Sequence, residues 1–263
     1  MDSAPDEKHR YFLQSLAKGL KVLQCMAQAP HALSLTEIAR AVGTNNATAT
    51  RCCHTLAAMG FIRRDQKLRY HLTPRLLALG YAAVRGLDWR DVARQYLREL
   101  SDGIGETVNL SVLDQGEIIY IIRIKTVKIL PYDLRIGSRL PVYCTSMGKA
   151  LLAFTPKDQV AQILEGVEFT PLTHRTITDR QEYLAQLEEV RKQGYAVNDE
   201  ELSVGLRSVA APILDSRGLA TAALNIAVPT TRVSRQELEE RLAPLAMTTA
   251  RDISGALEAL EQE

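Results

Sequence analysis

The sequence predicts an α+β chain built in two parts. Helical periodicity fills residues 12–60 and is followed by a short, basic hairpin pattern. From Glu106 the pattern changes to alternating strands joined by tight turns, with helices between them. The chain has 263 residues, more than one unit of about 100–150, so two domains are expected. Sequential hairpins interrupted by helices indicate an antiparallel sheet domain, not a doubly wound one.

Residues 12–28 carry Leu13, Leu16, Leu20, Leu23 and Ala27 at helical spacing, and Pro30 helps end that helix. Ser34 and Glu37 have the spacing of a capping box, because hydroxyl and carboxylate each satisfy an orphan N–H. Leu35, Ile38, Ala39 and Val42 follow as an apolar face, and Gly43 suits the position after the helix. TNNATATRCCHTLAAMG then predicts a third helix stopped at Gly60. Two short helices joined by a tight Gly-containing turn outline a helix-turn-helix. Phe61-Ile62 and Arg69 to Leu72 predict two strands around Asp65-Gln66-Lys67, with Arg63, Arg64, Lys67 and Arg69 at the tip, which is the pattern of a wing. Pro74 opens a further helical stretch that Gly80 and Gly86 weaken.

In the body, Asp88 is expected to cap a helix with Val92, Tyr96 and Leu100 every four residues. Val108, Leu110 and Val112 alternate on one strand, Asp114-Gln115-Gly116 is a turn, and EIIYIIRI is the returning strand. A third strand ends at Pro141-Val142-Tyr143-Cys144 before the helix SMGKALLAF. Thr155 is expected to cap one helix with Pro156 at its first position, Thr178 with Gln181 to cap another that Gly194 stops, and Ser234 with Glu237 to cap the last. SVAAPIL and LATAALNIAV flank the turn Asp215 to Gly218 as two late strands.

Hydrophobic residues at 46% and charged residues at 24% suit a globular protein with a real core. The net charge of +1 conceals segregation. Residues 11–80 hold nine basic and two acidic side chains, a local +7; with residues 1–10 at −1, residues 81–263 carry −5. A basic head on an acidic body is the electrostatic footprint of nucleic-acid binding joined to another task. Cys25, Cys52, Cys53 and Cys144 show no framework spacing, which fits reduced thiols in a cytoplasm. Uncharged stretches such as residues 218–231, with 14 residues, fall short of the ~20 of a membrane span, and the polar N-terminus has no signal-peptide core. No metal site or cofactor is expected: Cys52, Cys53 and His54 are consecutive, so on a helix they diverge by about 100° each.

Asn45, Asn46, Thr48, Thr50 and Arg51 crowd the first half of the third helix. Asn pairs with adenine and Arg with guanine or phosphate, whereas the Thr and Asn residues also serve as turn and capping groups. One is expected to cap and the others to face outward. Arg63, Arg64, Lys67 and Arg69 would place cations on phosphates or in a minor groove.

These segments resemble the IclR-type family of bacterial transcriptional regulators over nearly the whole chain from Leu13. The likeness rests on LAKGLKVLQ, SLTEIARAVG, the helix with Arg51, and GFIRRD…YHLTPRLLALG in the head. In the body it rests on GSRLPVYCTSMGKALLA, GYAVNDEEL, GLRSVAAPILD and AALNIAVP. The resemblance implies a winged helix-turn-helix over residues 11–73, a linker helix over 74–88, and an effector-binding and oligomerisation domain over 89–263 with a curved antiparallel sheet. It also implies binding to promoter DNA as a dimer or dimer of dimers, and contact with RNA polymerase if the protein activates. PVYCTSMGK is similar to a subgroup governing aromatic-acid breakdown (protocatechuate, 4-hydroxybenzoate and the β-ketoadipate route). A regulator sensing a short oxo-acid is the alternative.

Thr145, Ser146, Met147 and Gly148 form a strand-to-helix junction, where free N–H groups and the helix dipole favour a carboxylate, although a plain capped helix start has the same pattern. The resemblance adds Asp199, Ser208 and Asn225 to that pocket; family members often have Cys at the position of Ser208 and Ser at those of Asn225 and Ala227, so these departures suggest a different ligand. Tyr143 could flank an aromatic ring and Arg123 could pair with a carboxylate. No enzyme is expected. Ser146 to Lys149 fits the S-x-x-K pattern of serine acyl-hydrolases, but so does Ser15 to Lys18, and neither Lys-Thr-Gly nor Ser-Asp-Asn accompanies them.

Overall fold

A computed structural model describes residues 12–79, 89–125 and 134–261. The chain divides into two compact units, Met1–Leu87 and Asp88–Glu263.

The first unit holds α1 (Gln14–Gln28), α2 (Leu35–Val42), α3 (Asn46–Ala58), β1 (Ile62–Arg64) and β2 (Tyr70–Leu72). Ser34 and Glu37 form the reciprocal capping box at the start of α2. Gly43 ends it at φ 69°, a left-handed conformation that costs glycine little. β1 and β2 pair antiparallel, Arg63 opposite His71, and Tyr70 bridges to Leu33. Val22, Met26, Leu33, Ile38, Cys53, Leu56, Ile62 and Tyr70 make the core. α1 buries Val22 and Met26, not the leucine stripe: Leu13, Leu16 and Leu20 are 66%, 59% and 52% exposed. Residues 75–79 are helical; Gly80, Gly86 and the Asp88 cap lie outside the described residues.

The second unit contains α4 (Trp89–Ile104), β3 (Thr107–Asp114), β4 (Glu117–Ile124), β5 (Arg139–Pro141), α5 (Ser146–Ala153), α6 (Lys157–Glu165) and α7 (Arg180–Gln193). β6 (Ala196–Asp199), β7 (Leu206–Leu214), β8 (Ala220–Pro229), a helical turn Arg235–Glu237, a π-turn Leu238–Leu242 and α8 (Ala243–Glu261) follow. One antiparallel sheet runs β5-β4-β3-β8-β7-β6. α4 and α8 pack together on one side, with Val108, Leu110, Leu224, Ile226 and Val209 in the core. α5 packs against β7 and β8 and against α7. The π-turn precedes Pro244, which has no N–H for the ordinary bond; Ala243 N–H instead reaches back to Leu238.

Several caps fall one residue from their expected places. Asp179, not Thr178, caps α7 by accepting from Glu182 N–H. Pro156 occupies the cap position of α6, because the Thr155 hydroxyl donates to the Leu151 carbonyl. β5 stops at Pro141, leaving Tyr143 and Cys144 in the turn before α5. On α4 the buried line is Trp89, Ala93, Leu97 and Leu100, so Val92 and Tyr96 flank the core.

Candidate functional sites

In the head, Ala49, Cys53 and Leu56 anchor α3 to the core at spacings of four and three. The opposite face therefore points outward, with Asn46, Thr50, Arg51, His54 and Thr55 exposed. Asn45 is the cap, accepting from Thr48 N–H at 2.8 Å. Thr48 sits half-buried on the flank, and the Thr50 hydroxyl donates to the Asn46 carbonyl. His54 and Thr55 lie one turn beyond Thr50 and Arg51; their i+4 spacing was the signal that would have added them to the candidate face.

Arg63, Arg64 and Lys67 are exposed on the wing, with the Arg64 guanidinium 5.4 Å from the centre of the Tyr70 ring. Arg69 is not at the tip. Its guanidinium turns back to donate to the Ala32 carbonyl at 2.7 Å and lies 3.6 Å from Glu37. Asp65 organises the turn, accepting from Lys67 and Arg69 N–H groups and meeting His71 Nε2 at 2.6 Å. Those bonds, the His71 contact first, hold its carboxyl down at about 2.

In the body, strand register assembles a polar patch on the face of the sheet toward α5. Asn109 lies opposite Arg123 on one side and Asn225 on the other. In the next row Thr107 lies opposite Ala227, Ala227 opposite Ser208, and Ser208 opposite Asn198. With Tyr120, Thr145, Ser146 and apolar Leu134, Leu202 and Leu206, these residues line a cavity of about 30 Å³.

Inside it, Arg123 Nη1 donates to Asn109 Oδ1 at 2.8 Å, and Asn109 Nδ2 donates to Asn225 Oδ1 at 2.8 Å. The Ser146 and Ser208 hydroxyls meet at 2.7 Å. Arg123 Nε is buried without a partner in the described residues, a donor whose desolvation nothing offsets. Burial pushes the Tyr120 phenol up to about 12, so the ring stays neutral. Asn198 donates to the Cys144 carbonyl and accepts from Glu201 N–H.

Of the nine expected pocket residues, Arg123, Thr145, Ser146, Ser208 and Asn225 line this cavity. Four do not. Asp199 follows Asn198 on β6, so it points to the opposite face and pairs with Arg207 at 2.5 Å and Arg175 at 2.6 Å. The Tyr143 hydroxyl donates to the Thr170 carbonyl and its ring stacks on Phe169 at 4.9 Å. Met147 is buried with its sulfur accepting from the Ser111 hydroxyl. Gly148 packs closely on the preceding turn: a Cβ there would lie 2.3 Å from the Val142 carbonyl oxygen, so the backbone contact leaves no room for a side chain. Thr145 divides its hydroxyl between donating to the Pro141 carbonyl and capping Gly148 N–H.

Thr107, Asn109, Tyr120 and Asn198 are pocket residues that reading the sequence missed. The signal was available on β3, where Thr107, Asn109 and Ser111 alternate with the apolar set yet are buried. Two buried faces, one of them polar, mark a strand covered on both sides with a task on one.

The chain matches two family models, the IclR helix-turn-helix domain over residues 15–66 and the C-terminal domain of bacterial transcriptional regulator IclR over residues 81–255. The protein belongs to the IclR family of transcriptional regulators. It is similar to the Pca regulon regulatory protein of Pseudomonas putida, at 37% identity over 243 residues, 92% of this chain and 83% of that one. It is equally similar to the transcriptional regulator KdgR of Escherichia coli, at 37% over 258 residues, 98% of this chain and 95% of that one. A crystal structure of a transcriptional regulator from Rhodococcus sp. RHA1 superposes with TM-score 0.80 at 40% identity, covering 95% of this chain and all of that one.

The hydrolase alternative falls on both counts. The family regulates transcription, and Lys149 Nζ sits 2.5 Å from Glu201 and 3.2 Å from the Val197 carbonyl while Ser146 is bonded to Ser208. Burial pulls the Lys149 ammonium down and pushes the Glu201 carboxyl up, each opposed by the other's charge. Among the described residues no group of three His, Cys, Asp or Glu is placed to hold a metal, and no helix is long and apolar enough to cross a membrane.

Proposed function

We propose that this IclR-family regulator controls catabolic genes by binding promoter DNA and sensing a small aromatic carboxylate such as protocatechuate or 4-hydroxybenzoate. The observation that carries the effector reading is Arg123 in the polar row of the cavity, with an unpartnered buried Nε beside neutral Tyr120. A guanidinium supplies charge-assisted bonds to a carboxylate, and a neutral aromatic ring flanks an aryl group. The Pseudomonas putida relative, named for the Pca regulon, supports the aromatic class.

A second reading, a short oxo-acid, is favoured by size. About 30 Å³ is far below the roughly 300 Å³ or more of drug-sized ligands, so either acid requires the lining to open, an aromatic one further than an oxo-acid. A thermal-shift panel of benzoate, protocatechuate, 4-hydroxybenzoate, pyruvate and glyoxylate decides between them, because a ligand that binds only the folded state raises its melting temperature. Shifts confined to the oxo-acids overturn the aromatic class. Arg123→Met should lower affinity for the active acid about 10- to 100-fold, the loss expected of a charged hydrogen bond of about 1.5–3 kcal/mol.

Outward Asn46, Thr50, Arg51, Arg63, Arg64 and Lys67 form the proposed DNA contact, with Asn45 and Thr48 shaping the helix start. Affinity should fall steeply with salt as phosphate contacts release counterions, which anisotropy on upstream promoter fragments measures. The exposed stripe Leu13, Leu16 and Leu20 supports self-association into a dimer or dimer of dimers. Promoter binding places the protein in the cytoplasm, in contact with RNA polymerase if it activates.

A further inference from the structure

A second hollow lies on the outer helical layer of the effector domain, between α6 and α7 and above the end of α5, with a volume of about 420 Å³. Leu152, Val160, Leu164 and Leu187 form its buried floor. Its walls carry small residues, Ala161 on α6 and Ala185 on α7, whose methyl groups leave the space unfilled. Lys157 pairs with Glu188 at 2.7 Å, while the Arg180 guanidinium donates to the Leu164 carbonyl and lies 6.0 Å from the Phe169 ring centre. Arg191 is exposed on the rim and makes no salt bridge among the described residues, although its charge acts on Glu188 one turn away. The lining charges are three cations to one anion. Arg180 and Arg191 are eleven residues apart on α7, or ~16 Å at 1.5 Å per residue, so the hollow has a cation toward each end.

We propose that this hollow is a second ligand site, separate from the cavity on the sheet, for an amphipathic carboxylate whose apolar body lies on the leucine floor and whose carboxylate pairs with Arg191. The volume falls within the range of about 300–1,000 Å³ found for small-molecule sites and is far larger than the sheet cavity. The depth argues for a small molecule over a protein helix. Leu184, at 40% exposure, is the one large apolar lining side chain a flat partner could reach; the rest of the floor is recessed. A second copy of the same face is disfavoured, because a two-fold contact would oppose one cationic rim to another.

Titration calorimetry of the full chain with octanoate, octylamine and 1-octanol tests the assignment. Saturable octanoate binding is expected, about two- to fivefold tighter than octylamine, the fold-change of an exposed charged pair of about 0.4–1 kcal/mol. Ala161→Trp fills the hollow and should weaken octanoate at least about tenfold, and Arg191→Glu reverses its charge and should weaken it at least about twofold, both while leaving the sheet cavity's acid unaffected. Arg123→Met should leave octanoate binding intact. Ala185→Phe, on the other wall, provides the same test if Ala161→Trp does not fold. The proposal is overturned by absent saturable binding, by octylamine binding as tightly as octanoate, or by octanoate affinity that survives both filling and charge reversal. Loss of octanoate binding in Arg123→Met alone would place the octanoate in the sheet cavity and overturn the second site.

Discussion

Gly148→Ala is the sharpest test of how α5 is seated. A Cβ at that position would lie 2.3 Å from the Val142 carbonyl oxygen, 2.5 Å from Val142 Cα and 2.7 Å from Thr145 Oγ1. Two of these atoms are backbone, so no rotamer change relieves them; either the turn Val142 to Thr145 or the start of α5 must move. Overpacking costs about 1–3 kcal/mol, and a backbone clash belongs at the upper end. If the helix start backs away, the Thr145 cap on Gly148 N–H is lost as well, about 1 kcal/mol more. The expected destabilisation is about 3–4 kcal/mol, or roughly 6–16 °C at about 2–4 °C per kcal/mol for a domain of this size. Urea and thermal unfolding followed by circular dichroism measure it. Gly103→Ala is the control, because a Cβ there meets nothing within 4 Å and Gly103 sits inside α4; alanine should be neutral or stabilise by up to about 1 kcal/mol. Because Ser146 lines the sheet cavity two residues upstream, ligand affinity should fall with stability in the Gly148 variant only. A loss under about 1 kcal/mol would refute the packing argument, and lost ligand affinity without lost stability would return Gly148 to consideration as a ligand contact.

Three further outcomes follow from the same geometry. Tyr143→Phe removes the bond to the Thr170 carbonyl and should cost about 1 kcal/mol in unfolding while leaving effector affinity unchanged; a tenfold affinity loss would put Tyr143 back in the pocket. Ser34→Ala opens the capping box of α2 and should destabilise the head by about 1 kcal/mol, seen as an earlier urea midpoint for head signals with body signals unmoved. Asp65 has a folded carboxyl held at about 2 against an ordinary 3.8, so its contribution is complete above 3.8 and disappears as pH falls toward 2. The stability gap between wild type and Asp65→Asn should therefore close over that acid range; a gap independent of pH there would contradict the carboxylate's role in the wing turn.

The head was legible because its signals are local. Ser34 and Glu37 sit three residues apart in the chain and meet across one helical turn, and Gly43 is next to the carbonyls it closes. Charge segregation and the outward run from Asn46 to Arg51 needed no long-range information either. The departures there come from contacts distant in sequence or from two apolar faces on one helix: Arg69 reaches Ala32 and Glu37 and leaves the wing tip. On α1 the leucine stripe and the Val22–Met26 line are both apolar, so periodicity could not say which faces the core.

The sheet cavity was legible only in part. Strand periodicity is two, so a placement wrong by one residue exchanges faces: the resemblance points to Asp199, whereas Asn198 enters the cavity. Asn109, Asn225 and Arg123 meet because β3 pairs with β4 on one edge and β8 on the other, over separations of fourteen and 116 residues. The sequence alone determined the α+β class, most helix starts to within a residue or two, the basic head and the family signatures, all of which follow from neighbours along the chain. Tertiary structure alone decided which polar side chains share the cavity, that Gly148 lies against the Val142 backbone, and that α6 and α7 leave a hollow between them. Those outcomes depend on strand register and helix packing, which bring together residues that no local pattern relates.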